Sequence, residues 1–240
     1  VTLPSIETLY KVCEATWPSA AESEAGGCII RDGQGGGKRV AAATLNGPFT
    51  QLDLSAAEAA MKQLSQPLLF QVRKGEDGLD QLLQAHGYSV VDPVNVWAAP
   101  AETIAVERPA RITAVPAWEP LNVMKEIWQE GGIGPARLDV MHRACTPKTG
   151  IVSRWQDRPA GTSFIAIHKG IAMLHALEIK SDYRRNGLAR KTMHQAAFWT
   201  LENGGHTLSV ICTQGNTAAN GLYQDLGMQK VGTYHYRIKA

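Results

Sequence analysis

An α/β (α+β) fold built as two similar units is predicted for this chain by three features. These are a repeated strand-helix-strand layout, an expected hairpin ahead of each copy, and a proline-containing acidic break between the copies. The first copy reads Pro67-Leu68-Leu69-Phe70-Gln71-Val72, then Gly75, then Leu79, Leu82, Leu83 and His86, then Gly87-Tyr88. The second reads Thr207-Leu208-Ser209-Val210-Ile211, then Gly215, then Ala219, Leu222, Tyr223 and Leu226, then Gly227-Met228. In each, a short β-rich run gives way to apolar residues at i, i+3, i+4 and i+7, and a glycine stands where the helix ends.

Upstream, residues 28–31 pair with 40–45 as the expected first hairpin, and 151–154 with 163–167 as the second. The glycine-rich run 33–37 then falls inside the first hairpin and reads as a flexible turn rather than a phosphate cradle. A short helix follows from a capping box, Ser55 with Glu58, and carries Ala57, Ala60, Met61 and Leu64. Residues 99–109 read as the linker between units, with the boundary near Glu107. The expected domains are 1–106 and 107–240.

The 240 residues are 44% hydrophobic and 19% charged, which suits an ordinary globular protein. A formal net charge of +2 is too small to make nucleic acid the default partner. Cys13, Cys28, Cys145 and Cys212 form no Cys-x-x-Cys pair and have no histidine at metal-ligand spacing, so reduced thiols and no metal site are expected. No apolar run reaches membrane-spanning length, and residues 1–10 lack the pattern of a secretory signal, so a cytoplasmic protein without a membrane partner is expected.

Residues 171–190 carry the most chemical information. An apolar strand ends at Ile179, a polar turn follows, and a helix opens near Gly187 with Ala189, Met193, Ala196, Ala197 and Leu201 on one face. Gly204-Gly205 ends that helix. A helix start has unpaired N–H groups and partial positive charge, so a glycine turn flanked by Arg184, Arg185 and Arg190 suits an anion such as a pyrophosphate. A capped helix with solvated arginines would share the same pattern.

The stretch Leu177-Glu178-Ile179 followed by Arg184-Arg185-Asn186-Gly187-Leu188-Ala189 resembles the coenzyme A loop of the GNAT superfamily of N-acyltransferases. That loop has the form Arg/Gln-x-x-Gly-x-Gly/Ala after Leu-x-Val. Residues Asn216, Ala219, Leu222 and Tyr223, with Leu226-Gly227-Met228 behind them, resemble the family's Asn-x-x-Ala-x-x-Leu-Tyr helix. The resemblance implies two GNAT-like domains, each a mixed, mostly antiparallel twisted sheet flanked by helices. The first, lacking the loop and carrying Glu76 and Leu83 at the places of Asn216 and Tyr223, would be a degenerate, noncatalytic copy.

It also implies acetyl-CoA as acyl donor, bound by 177–179, by Arg184 through Arg190, and by Asn216, Ala219 and Tyr223. The acceptor would be a small-molecule amine attacking directly, with no covalent enzyme intermediate. Tyr223 is the implied general acid for the departing thiolate, although its apolar stripe equally fits a core residue. His175 is the candidate base or one end of a water relay, with a hydrogen-bonded structural role as the alternative. Strand parity places it on the face of Leu177 and Ile179, with Glu178 opposite.

Glu126 and Glu130 are further acids on a helix whose plain reading is a solvated face. Trp118, Trp128, Arg137, Tyr234 and Tyr236 are candidate acceptor-pocket residues, Arg137 as a carboxylate holder or as a surface charge. A noncatalytic acyl-CoA-binding regulatory or interaction module is the competing class.

Overall fold

A computed structural model describes residues 2–239. The first unit contributes α1 (Ile6–Thr16), β1 (Ala21–Ala25), β2 (Cys28–Asp32), α2 (Lys38–Ala41), β3 (Thr44–Leu45), α3 (Leu54–Gln63), β4 (Leu68–Val72), α4 (Asp77–Ala85) and β5 (Ser89–Pro100). A short α5 (Ala101–Ile104) leads into β6 (Ala114–Ala117), α6 (Asn122–Glu130), α7 (Pro135–Arg143), β7 (Lys148–Trp155), β8 (Arg158–His168) and β9 (Ile171–Ile179). Then come α8 (Leu188–Glu202), β10 (Thr207–Thr213), α9 (Thr217–Asp225) and β11 (Gln229–Lys239). Among the described residues, no helix is long and apolar enough to cross a membrane.

The strands form a small three-stranded sheet, β1-β2-β3, and one eight-stranded sheet in the order β4-β11-β5-β10-β9-β8-β7-β6. The two strand-helix-strand copies are present as β4-α4-β5 and β10-α9-β11. Neither copy pairs its own two strands. β11 pairs antiparallel with β4, β5 pairs antiparallel with β10, and β5 and β11 meet in the middle. Strands from both sides of the expected boundary therefore interleave in a single sheet.

Three local expectations are corrected. β2 takes β1 as its main hairpin partner, while residues 38–41 are helical and only Thr44 and Leu45 pair with β2. α3 is capped by Asp53, which accepts from the Ala56 N–H at 3.0 Å; Ser55 lies inside the helix. The segment read as a linker is packed: β5 continues to Pro100, and Ala101 and Ile104 of α5 are buried.

The glycine-rich run is also no free turn. It leads into α2 and presses on α7, where a Cβ at Gly36 would lie 2.8 Å from the Val140 side chain. One at Gly37, whose φ is +98°, would lie 3.3 Å from the Arg137 guanidinium. Backbone and helix approach closely here because no side chain intervenes.

α8, α5 and α9 cover one face of the large sheet through Met193, Ala196, Ile104 and Tyr223 against Leu174, Val210 and Ile165. On the other face α1 packs on Ile171, Met173 and Tyr234, while α6 and α7 pack on Phe164 and Ala166.

Candidate active site

β9 and β10 run parallel and pair from Ile171 with Thr207 to Leu174 with Val210, where pairing stops. Ser209 adds a side-chain bond to the Ala172 carbonyl at 2.7 Å inside the closed part. Beyond it β9 stays paired to β8 as far as Ile179, and β10 stays paired to β5 as far as Thr213. The two arms are thus held by their outer neighbours while they part from each other. The inner edges of residues 175–179 and 211–213 are left without a strand partner, and unpaired edge groups bind an extended ligand readily.

A bulge sets the side-chain directions at the fork. The pairing shifts between Thr162 and Phe164, and Ala176 takes a left-handed φ of +50°. Its carbonyl accepts from the buried Trp128 indole at 2.8 Å, which ties α6 to the bulge. The extra residue reverses the expected parity. Leu177 and Ile179 face the α8 side, whereas His175 and Glu178 face the α1, α6 and α7 side, Glu178 lying against Gly131.

His175 is buried, with its ring 4.9 Å from Trp17 and 6.3 Å from Phe164. Thr16 gives its hydroxyl hydrogen to the Val12 carbonyl at 2.7 Å, so it must accept from His175 Nε2–H at 2.9 Å. Nδ1 is then the lone-pair nitrogen, and it accepts from Arg39 Nη1 at 3.0 Å. Burial first, and the neighbouring Arg39 charge second, hold the imidazole well below its ordinary 6.5. In this arrangement the ring is neutral and its lone pair is occupied, so the geometry does not present His175 as a free base.

A consequence for stability follows. The unfolded chain takes up a proton on His175 near pH 6.5 and the folded chain does not. This contribution is complete above that pH and is lost below it, at up to about 1.4 kcal/mol per pH unit. Urea unfolding between about pH 7 and about pH 5.5 should show a larger loss in the wild type than in His175→Gln, because only the wild type has this group to charge. Equal slopes would show that the imidazole is charged in the fold.

The expected glycine turn and helix start are present. Gly187, at φ +72°, precedes α8, and no side chain caps the helix, so its first N–H groups have no capping partner. Arg184 donates to the Ile179 carbonyl at 2.8 Å and to Glu178 at 3.0 Å. Asn186 donates to the carbonyls of Tyr183 and Arg184, both at 3.3 Å. Arg185 is exposed, Leu188 is buried against Ile179, Ala189 packs beside it, and Arg190 reaches Asp225 at 3.6 Å. The fork and the uncapped helix start adjoin, which fits a ligand with an extended arm and a pyrophosphate.

Across the fork, Asn216 caps α9 by accepting from the Ala219 N–H at 3.1 Å. Tyr223 is buried with Trp97 and Leu226. Burial, then the neighbouring Cys212, push its phenol up, which keeps it protonated. Glu126 and Glu130 are exposed, and Glu130 pairs with Lys180 at 3.1 Å, as a solvated helix face would. The Trp118 ring lies tilted beside Phe164, centroids 5.6 Å apart.

A cavity of about 260 Å³ opens at the fork. Ala176 lines one arm, and Ile211, Cys212 and Thr213 line the other. The opposite wall comes from the first unit: Trp17, Gly36, Gly37, Lys38 and Arg39. Arg137 and Tyr236 also line it. Sequence reasoning missed Thr16, Trp17, Arg39 and Asn220. Asn220 accepts from Asn95 at 2.9 Å and Trp97 at 3.0 Å and donates to the Asn216 carbonyl at 2.8 Å, fastening α9 to β5. Among the described residues no cluster of metal-ligating side chains occurs.

Residues 121–228 match the family model described as Acetyltransferase (GNAT) family. Over 246 aligned residues the chain is 22% identical to a Bacillus subtilis (strain 168) protein named "Uncharacterized N-acetyltransferase YobR", covering 99% of this chain and all of that one. A GCN5-related N-acetyltransferase from Kribbella flavida has the same fold, with a TM-score of 0.73, 16% identity, and coverage of 99% of this chain and 96% of that one. A tandem GNAT protein from the clavulanic acid biosynthesis pathway shares it less completely, with a TM-score of 0.57, 13% identity, and coverage of 76% and 67%. The chain is thus similar to the acetyltransferase (GNAT) family over residues 121–228 and shares its fold with these solved structures.

Proposed function

We propose that the chain moves an acetyl group from acetyl-CoA to a primary amine of a small molecule or amino acid, by direct attack with both substrates bound. The observation that carries this reading is the fork between β9 and β10 beside an uncapped helix start at Gly187. Residues 107–240 would hold the chemistry. The first unit would be a degenerate copy of the same design, a reading supported by the matched β4-α4-β5 and β10-α9-β11 segments and their exchanged strands. Free, scattered cysteines favour the cytoplasm as its place of work.

When bound, acetyl-CoA supplies an acyl carbon already activated as a thioester. Leu177, Glu178 and Ile179 offer the open strand edge that holds its extended arm and polarises the carbonyl through backbone N–H. The loop from Arg184 through Arg190 receives the pyrophosphate, and Asn216 and Ala219 close the far side. The neutral amine nitrogen bonds to the acyl carbon, the carbon–sulfur bond breaks, Tyr223 gives its proton to the departing sulfur, and the proton shed by the nitrogen passes to water, from which Tyr223 is reprotonated.

Calorimetric titration with acetyl-CoA tests the donor site. The wild type should bind with micromolar affinity, and an Arg185→Glu, Gly187→Glu double variant should lose at least about tenfold, because it sets two carboxylates where the pyrophosphate would sit. A Cβ at Gly187 meets nothing within 4 Å, but its left-handed φ of +72° strains any other residue, so Arg185→Glu alone should also lose affinity. Undiminished binding by the variant would move the donor elsewhere, and no binding by the wild type would end the acetyltransferase reading.

A further inference from the structure

We infer that the acceptor amine also carries a carboxylate, and that Arg39 of the first unit is the residue that receives it. This rests on the acetyltransferase reading and assigns the acceptor class of the same site.

Arg39 is a half-buried cation at the fork cavity without a counter-ion. Its Nη1 is committed to His175, a neutral ring, and its Nε is buried with no hydrogen-bond partner. Among the described residues, no carboxylate lies within ion-pair distance of Arg39, nor of Arg137 on the same cavity. Arg31, by contrast, pairs with Glu14 and Glu22, and Arg237 with Asp80, while Arg143, which also has buried nitrogens without partners, does not line this cavity. Lys38, the third cation at the cavity, is neutralised by Asp92 at 2.8 Å. A guanidinium held out of water without an anion is costly, and a bound carboxylate offsets that cost through paired N–H bonds.

The position is built rather than incidental. His175, itself fixed by Thr16, orients Nη1, and the Trp17 ring lies 5.9 Å from the guanidinium carbon. Arg137 is brought to the same wall by the close approach of Gly37. Two uncompensated positive charges repel a simple alkylammonium ion, whereas an amino acid's carboxylate compensates them. The same field lowers the pKa of the incoming ammonium and so raises the fraction of neutral, nucleophilic amine. The cavity of about 260 Å³ suits a small molecule.

Initial rates with acetyl-CoA test this, using the α-amino acids and their carboxamides as matched acceptors, so that each pair differs only in the anionic group. Wild type should show kcat/KM at least about tenfold higher for the acid than for the amide of the preferred pair. In Arg39→Gln that ratio should collapse towards one through KM, and in Arg39→Lys it should be partly restored, with acetyl-CoA affinity by calorimetry unchanged in both. Arg137→Gln, outside the His175 contact, should lower the same ratio and serves if the Arg39 variants fail to fold. Amides accepted as well as acids, or acetyl-CoA binding without turnover of any acid, would overturn the inference while leaving the donor site standing. Weakened acetyl-CoA binding in Arg39→Gln would overturn it by assigning the charge to the donor. Absence of acetyl-CoA binding in the wild type would remove the underlying reading as well.

Discussion

Replacing Tyr223 with phenylalanine is expected to lower kcat about a hundredfold, near 2.7 kcal/mol of barrier, while leaving acetyl-CoA affinity unchanged. The change removes one oxygen from a side chain already packed against Trp97 and Leu226, so the hydrophobic contacts survive. The lost group is a proton donor placed beside Cys212, a residue of the fork cavity. Because burial keeps the phenol protonated, its ionisation should not shape the pH–rate profile in the working range. Release of free thiol, followed alongside calorimetry, checks both halves of the expectation. An unchanged kcat would make Tyr223 a core residue, and a wild type that binds acetyl-CoA but turns over no amine would favour a noncatalytic acyl-CoA-binding module.

Residues 107–240 produced alone are expected to give no cooperative unfolding transition by circular dichroism, and co-production of 1–106 should restore it. β5, which comes from the first unit, bonds to β10 from Thr207 through Thr213 and to β11 along most of its length. Without it, two strands of the second unit lose the neighbour between them and expose their backbone groups. The isolated segment would also lack Thr16, Trp17 and Arg39, and with them the contacts that hold His175. A folded, active fragment would show that β11 can close directly on β10.

What could be read from the residues divides along physical lines. The second hairpin, the strand ending at Ile179, the glycine at the start of α8 and both strand-helix-strand copies follow from local periodicity and turn chemistry, which neighbouring residues encode. The exchange of strands between copies has no local signature, because nothing in β4 itself distinguishes β5, to which it runs parallel, from β11, to which it runs antiparallel. The bulge at Ala176 was hidden because alanine seldom takes a left-handed conformation, and that one residue reversed the faces of His175 and Glu178. The cavity wall supplied by the first unit was hidden for another reason. Arg39 and His175 are 136 positions apart, and a lone arginine after a glycine run gives no sign that it reaches into the other unit's fork. The same run does turn, with the Gly36 N–H donating to the Gly33 carbonyl at 2.8 Å, but its packing against α7 was hidden because close packing and chain reversal both call for glycine.

The exchanged strands also set a timetable for the growing polypeptide. On the ribosome β4 and β5 emerge early, yet the slot between them belongs to β11, which is made after every other described strand. Until then the nascent first unit carries two ribbons of unsatisfied backbone facing each other across a gap, the kind of surface that recruits holdase chaperones or sticks to its neighbours. The sheet is finished only when β11 fills that slot, and because Tyr236 of that strand lines the fork cavity, the cavity wall is complete only once β11 is in place.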